Sequence, residues 1–131
     1  MFKAKTIMTT EVISVTPDTP INDAAKKLIE HKISGLPVID ADNNLVGILS
    51  EKDVLNLLIA TDSSVKETVK DFMTKNVLTF SPEDSAVEIC EFLMDKPFRR
   101  VPITENGKLI GLISRRDLIH LILQIRGVSS K

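Results

Sequence analysis

Two four-residue runs have the composition to do chemistry, Ser50-Glu51-Lys52-Asp53 and Ser114-Arg115-Arg116-Asp117. Each follows a glycine, Gly47 or Gly111, in the spacing Gly-x-x-Ser-x-x-Asp. A carboxylate on the first turn of a helix can accept from two vicinal hydroxyls, such as those of a ribose. A neighbouring serine and exposed helix amides suit phosphate oxygens. The same spacing also reads as a capping box, in which the serine caps the helix and the acid reaches back to the serine amide. On the residues alone both readings stand, and one serine can serve both.

The elements that position these runs are written twice. Met8-Thr9 recurs as Met73-Thr74, Val12 as Val77, Pro17 as Pro82, and Leu36-Pro37-Val38 as Val101-Pro102-Ile103, each 65 residues on. After Asp40 the offset is 64, so the second copy's turn is one residue shorter. The repeat divides the chain into 1–64, including the lead segment, and 65–131. A duplication this complete implies two similar halves about a pseudo-twofold axis. A half of about 60 residues is marginal alone, so the halves are expected to fold against each other.

Each copy reads as strand, helix, strand, strand, helix. Ile13-Ser14-Val15 and Leu78-Thr79-Phe80 alternate as short strands, each ended by a proline. Ile21, Ala24, Ala25, Leu28 and Ile29 recur at helical spacing, as do Ala86, Ile89, Cys90, Leu93 and Met94. Leu36 to Ile39 and Val101 to Ile103 are the next strands. Asp42-Asn43-Asn44 and Glu105-Asn106-Gly107 are the turns that lead back into Leu45 to Leu49 and Leu109 to Ile113. Asp53 to Ala60 and Asp117 to Ile125 form the last helices, apolar nearly all round. The linker, Thr61 to Lys70, is polar with room for a short helix.

Composition excludes several classes. The chain has 131 residues, 43% of them hydrophobic, which suits one compact domain with a real core. A formal charge of −1 gives no global pull toward nucleic acid or membrane. No apolar run reaches the roughly 18 residues of a membrane span, and the first residues have no apolar signal core. One cysteine, Cys90, excludes an internal disulfide and fits a reducing cytoplasm. The absence of Trp and Tyr argues against stacking on single-stranded nucleic acid.

Taken in order, these features resemble a tandem pair of cystathionine-β-synthase (CBS) domains, a Bateman module. The matching pieces are the Met-Thr lead, the Thr16-Pro17 and Ser81-Pro82 turns, the strand Leu36-Pro37-Val38-Ile39-Asp40, and both Gly-x-x-Ser-x-x-Asp ends. They cover about residues 5 to 126. The resemblance implies an α+β fold of two β-α-β-β-α repeats packed through their sheets. It also implies a cleft between the repeats that takes adenine nucleotides (AMP, ADP or ATP) or S-adenosylmethionine.

The resemblance assigns residues as well. Asp53 and Asp117 hold ribose, with Ser50 and Ser114 beside them. Arg99, Arg100 and Arg116 of the second copy line the cleft wall, and guanidinium groups match phosphate by paired donors. Adjacent strand residues face opposite ways, so one of Arg99 and Arg100 is expected to turn inward. The first copy has Ser34-Gly35 in their place and Lys52 as its only cation at the motif. A nucleotide on Asp53 would then meet the arginines, and one on Asp117 would meet Ser34 and Lys52. Val12 and Ile33 in copy one, and Val77 and Phe98 in copy two, match the adenine pocket, with Thr10 as a further contact.

Other patterns carry less. Asp40, Asp42, Asn44 and Glu51 fall at positions one, three, five and twelve of a calcium loop, but Leu45 holds the sixth, where glycine is needed. His31 and His120 are isolated, and no nucleophile–base pair stands out for an enzyme. The leading expectation is a regulatory sensor of an adenine nucleotide, not an enzyme. A partner enzyme or transporter would be regulated in trans. A structural dimerisation module with vestigial sites is the alternative, and nucleic-acid binding is the third. A homodimer is expected from Val54, Leu55, Leu57, Leu58 and Ile59 in one copy and Leu118, Ile119, Leu121, Ile122 and Ile125 in the other.

Overall fold

The computed structural model describes residues 2–59 and 67–129. It is α+β, with two small antiparallel sheets and helices after each. Elements in chain order are α1 (Ala4–Ile7), α2 (Ile21–His31), β1 (Gly35–Ile39), β2 (Leu45–Ser50), α3 (Glu51–Ile59), a 3-10 turn (Val69–Asp71), α4 (Ala86–Asp95), β3 (Arg100–Glu105), β4 (Lys108–Ser114) and α5 (Arg115–Ile125).

Two compact units result, and they do not follow the repeat. One comprises Ile13–Val77, and the other comprises Met1–Val12 with Leu78–Lys131. Each copy's lead segment thus packs with the sequence of the other copy. The division expected at residues 64 and 65 falls among residues outside the described ones, and the units part instead after Val12 and Val77. Backbone hydrogen bonds explain why. The Ala4 amide donates to Asp84 O (2.8 Å) and the Lys5 amide to Pro82 O (3.0 Å). Their counterparts repeat the pattern: the Val69 amide donates to Thr19 O (2.9 Å) and the Lys70 amide to Pro17 O (3.0 Å). Ala4 and Val69 are both fully buried beneath these clasps.

Each unit has its own apolar core. Val15, Ile21, Ala24, Leu28, Leu36, Val38, Leu49 and Val69 form one. Ala4, Ala86, Ile89, Leu93, Val101, Ile103, Ile113, Leu118 and Leu121 form the other. Burial of the valine, leucine and isoleucine side chains among them contributes about 1.5–3 kcal/mol each. β1 pairs with β2 and β3 with β4, with a register shift at Val38/Ile39 and at the equivalent Ile103/Thr104. Asn106 and Gly107 both have positive φ (54° and 81°), as a two-residue primed hairpin requires.

Three expectations are corrected. Ile13 to Val15 and Leu78 to Phe80 do not form strands. Only Val15 and Phe80 pair, in single parallel bridges to Val38 and Ile103. The next amides on the paired side would belong to Pro17 and Pro82, which have none, so pairing cannot extend beyond them. The last helices begin two residues earlier than expected, at Glu51 and Arg115, because Ser50 and Ser114 stand directly before the first helical residue. Ala60, the expected end of the first of them, and most of the linker (61–66) lie outside the described residues. Finally, Leu118 and Leu121 belong to their unit's core, and Val54 and Leu57 pack against the other core, so these four are not free apolar surface. Leu55, Leu58, Ile59, Ile119, Ile122 and Ile125 do remain exposed.

Candidate functional site

The Ser-x-x-Asp runs sit where strand turns into helix, at the β2–α3 and β4–α5 junctions. In one unit the Ser50 amide donates to Asp53 Oδ2 (2.8 Å) and the Asp53 amide donates to Ser50 Oγ (3.2 Å). In the other, the Ser114 amide donates to Asp117 Oδ2 (2.8 Å) and the Asp117 amide to Ser114 Oγ (3.1 Å). The capping reading is therefore realised in both copies. It uses one carboxylate oxygen of each aspartate. The other oxygen, Oδ1, is what a ligand hydroxyl could reach, and both aspartates are half-buried.

The glycines of the motif serve close backbone approach. A Cβ on Gly47 would lie 2.8 Å from Met73 Sδ and 2.9 Å from Thr74 O. One on Gly111 would lie 2.6 Å from Met8 Sδ and 3.0 Å from Thr9 O. The bare backbone lets the Met-Thr leads pair with the sheets, through the Thr74–Ile48 and Thr9–Leu112 bridges. Thr9 thereby reaches the site: its hydroxyl donates to Asp117 Oδ1 (3.3 Å). The sequence points to Thr10, whereas Thr9 is the threonine bonded to the aspartate. The duplication of Met8-Thr9 as Met73-Thr74 marks Thr9 as part of the repeat without indicating this contact. Thr10 itself is exposed.

The arginines differ in role. Arg100, the first residue of β3, stands opposite Ser114 in the sheet and is half-buried, while Arg99 is exposed. Arg100 Nε is buried without a hydrogen-bond partner. Burial pulls its guanidinium below the usual range, the nearby Asp117 carboxylate opposes this, and Arg99 adds repulsion. The Arg99 carbonyl accepts from the Arg115 amide (3.0 Å), as Ser34 O accepts from Glu51 N (3.0 Å). The Arg115 guanidinium donates from Nη2 to Leu93 O (2.8 Å) and Lys96 O (3.3 Å), closing the C-terminus of α4. Arg116 and Lys52 are exposed on the first turns of α5 and α3.

The remaining expected residues sort by unit. Ile33, Ser34 and Val77 share the unit of Asp53, and Thr10, Val12 and Phe98 share that of Asp117. Val12 and Val77 have thus changed places relative to the copies they were read with. Ile33 packs against its core. Phe98 is 53% exposed and stacks on Phe92 (centroids 6.0 Å, planes 11° apart), which meets Phe80 edge-on. The Asp40 carboxylate organises its turn, accepting from the Asp42 and Asn44 amides (both 2.9 Å) and from Asn44 Nδ2 (3.1 Å). No helix among the described residues is long and apolar enough to cross a membrane.

The comparisons with known proteins place the chain in a family. The chain is 35% identical over 124 residues to a 17.7 kDa protein of Acidianus ambivalens, covering 94% of this chain and 74% of that one. It is 35% identical over 118 residues to inosine-5'-monophosphate dehydrogenase of Methanocaldococcus jannaschii, but spans only 23% of that enzyme. Among solved structures, CBSX2 of Arabidopsis thaliana in complex with AMP superposes with a TM-score of 0.86 at 31% identity, over 96% of this chain and 99% of that one. The CBS domain pair of protein MJ0100, in complex with 5'-methylthioadenosine and S-adenosyl-L-methionine, gives a TM-score of 0.75 at 25% identity, over 95% and 98%. The family model for the CBS domain matches twice, at residues 4–60 and 69–124. The chain belongs to the CBS domain family and carries two of its domains in tandem.

Proposed function

We propose that this CBS pair is a regulatory module that senses a small molecule carrying adenosine, of the AMP, ADP or ATP type, with S-adenosylmethionine as the alternative. The observation that carries the reading is the Asp53 carboxylate. Its Oδ2 is fixed by the Ser50 amide, and Oδ1 has no hydrogen-bond partner among the described residues. A preorganised carboxylate with one free oxygen suits a ribose hydroxyl. CBSX2 holds AMP and MJ0100 holds S-adenosylmethionine and 5'-methylthioadenosine. These ligands share adenosine and differ at the 5' substituent. In this reading Asp53 and Asp117 accept from ribose, while Val12, Ile33, Val77 and Phe98 pack adenine, with Thr10 beside them. Arg99, Arg100 and Arg116, or Ser34 and Lys52, select the 5' group by charge.

A ligand regulates only by binding one arrangement of the protein more tightly than another. The output then passes to a second copy of the chain, or to an enzyme or transporter in trans. The exposed Leu55, Leu58 and Ile59 on α3 and Ile119, Ile122 and Ile125 on α5 support a homodimer. The same faces favour a second reading, a dimerisation module whose ligand sites are idle. A lone cysteine fits work in the cytoplasm.

Calorimetry with AMP, ADP, ATP, S-adenosylmethionine and adenosine separates the readings. Sensing requires binding of at least one, and binding of none leaves the dimerisation module. If arginine selects phosphate, Arg99→Ala, Arg100→Ala or Arg116→Ala weakens AMP binding about tenfold or more with little effect on adenosine. Equal losses for both ligands in all three variants would make these arginines ordinary surface charge.

A further inference from the structure

The two aspartates are built alike and presented differently. Both lie in the same Ser–Asp capping box, and both are approached by a Met-Thr lead bridged to the adjoining strand. The Thr9 amide donates to Leu112 O (2.8 Å) and the Leu112 amide to Thr9 O (2.9 Å). The Thr74 and Ile48 amides exchange the same pair of bonds (both 2.9 Å). Yet the Thr9 hydroxyl donates to Asp117 Oδ1, whereas among the described residues Thr74 makes no such bond to Asp53. Oδ2 accepts from a backbone amide in both copies, so Oδ1 is the less occupied acceptor of the two.

We infer that the Thr9 hydroxyl is a latch on Asp117: it competes for the carboxylate oxygen most open to a ligand hydroxyl, and so makes the two acceptor sites unequal. This rests on the ribose reading of the aspartates. The Thr9 backbone is pinned on both sides by Leu112, so its hydroxyl is presented to the carboxylate by an anchored residue. At 3.3 Å and exposed to solvent, the bond is weak. Ligand can displace it, and the latch tunes affinity without closing the site. Its expected worth is that of one hydrogen bond net of hydration, about two- to tenfold in Kd. Two sites of unequal affinity fill at different ligand concentrations, which widens the range over which the module responds.

The test uses calorimetry with AMP on the full chain. Asp53→Asn retains a side-chain oxygen for the Ser50 amide but places an amide donor where Oδ1 stood, which isolates the Asp117 site. In that background Thr9→Val, which keeps the β-branched shape and the backbone bridge, should tighten AMP binding about two- to tenfold. Thr9→Ser should leave it unchanged. Thr74→Val in an Asp117→Asn background should leave the Asp53 site unchanged. No change on Thr9→Val overturns the latch, and weaker binding overturns it by making Thr9 a ligand contact. If the double variant Asp53→Asn/Asp117→Asn binds AMP like the wild type, the ribose reading fails and the latch falls with it. If the double variant loses AMP while Thr9→Val is neutral, the latch alone is wrong. Circular dichroism on each variant confirms that a lost signal is not lost fold.

Discussion

Asp53 and Asp117 are the same residue in two copies of one motif, with the same capping bonds to within 0.1 Å. Their surroundings differ in kind. Asp53 has Gly35 across the strand pair from Ser50, and no hydrogen bond to its second oxygen among the described residues. Asp117 has Arg100 across from Ser114, and Thr9 on its second oxygen. Duplication conserves what the fold needs, the glycine, the cap and the clasp. It leaves the flank of the acid free to change. Chemistry that distinguishes the copies is therefore found beside the motif, on the strand paired with it and the lead bridged to it.

The largest expected effect breaks the acids themselves. Asp53→Ala should cost about 1.5–3 kcal/mol of AMP binding at its site, and Asp117→Ala less, because Asp117 already has a partner for both oxygens. Equal losses measured by calorimetry would erase the asymmetry. Unfolding of either variant would assign the acid to capping alone. Next comes the shared scaffold. Gly47→Ala and Gly111→Ala should each destabilise by about 1–3 kcal/mol, since the added carbon meets a methionine sulfur and a threonine carbonyl in both copies. Urea unfolding checks this, and a large difference between the two would mean the leads are not equivalent.

A smaller effect separates the residues that follow the serines. Arg115→Ala removes the donor to the last α4 carbonyls and should cost about 1 kcal/mol or less. Glu51→Ala, its counterpart, should cost little. Copy one closes α2 differently, with Lys32 in the left-handed conformation (φ 53°) donating to Ile29 O and Leu28 O. The smallest effect is electrostatic. Lys3 and Lys5 both bond Glu83, at 2.7 and 2.8 Å, and these bonds hold the Glu83 carboxyl at about 2, down from 4.5. A depressed carboxylate contributes stability that is present above its unfolded value and lost as pH falls from about 4.5 through about 2. The cluster is exposed, so the contribution is slight and fades with salt. Glu83→Gln should lower the melting temperature slightly at pH 7 in low salt, and by less as the pH falls toward 2. A shift of the same size at pH 2 would point to a contact other than charge.

The sequence made the repeat, the helices and the capping boxes legible because each rests on local spacing. Asp53 and Asp117 could be named for that reason, and Asn106-Gly107 marked its hairpin. Three features were not legible. The regrouping of Val12 and Val77 depends on where the leads dock, through Ala4–Asp84 and Val69–Thr19 bonds between residues far apart in the chain. The shortening of the first strands to single bridges depends on how Val15 and Phe80 dock on Val38 and Ile103, which local alternation does not encode. Thr9 reaches Asp117 from 108 residues away, through a bridge that no periodicity encodes. Arg115 shows the converse. It neighbours Arg116, which is expected at the cleft, and its own guanidinium closes a helix.

The most direct measurement is calorimetric titration of the wild-type chain and of Asp53→Asn with AMP, alongside adenosine. The wild type is expected to bind AMP, and Asp53→Asn to lose its tighter site while staying folded. Unchanged AMP binding in a folded Asp53→Asn chain, or no binding of either ligand to the wild type, would contradict the assignment of this carboxylate to a ribose.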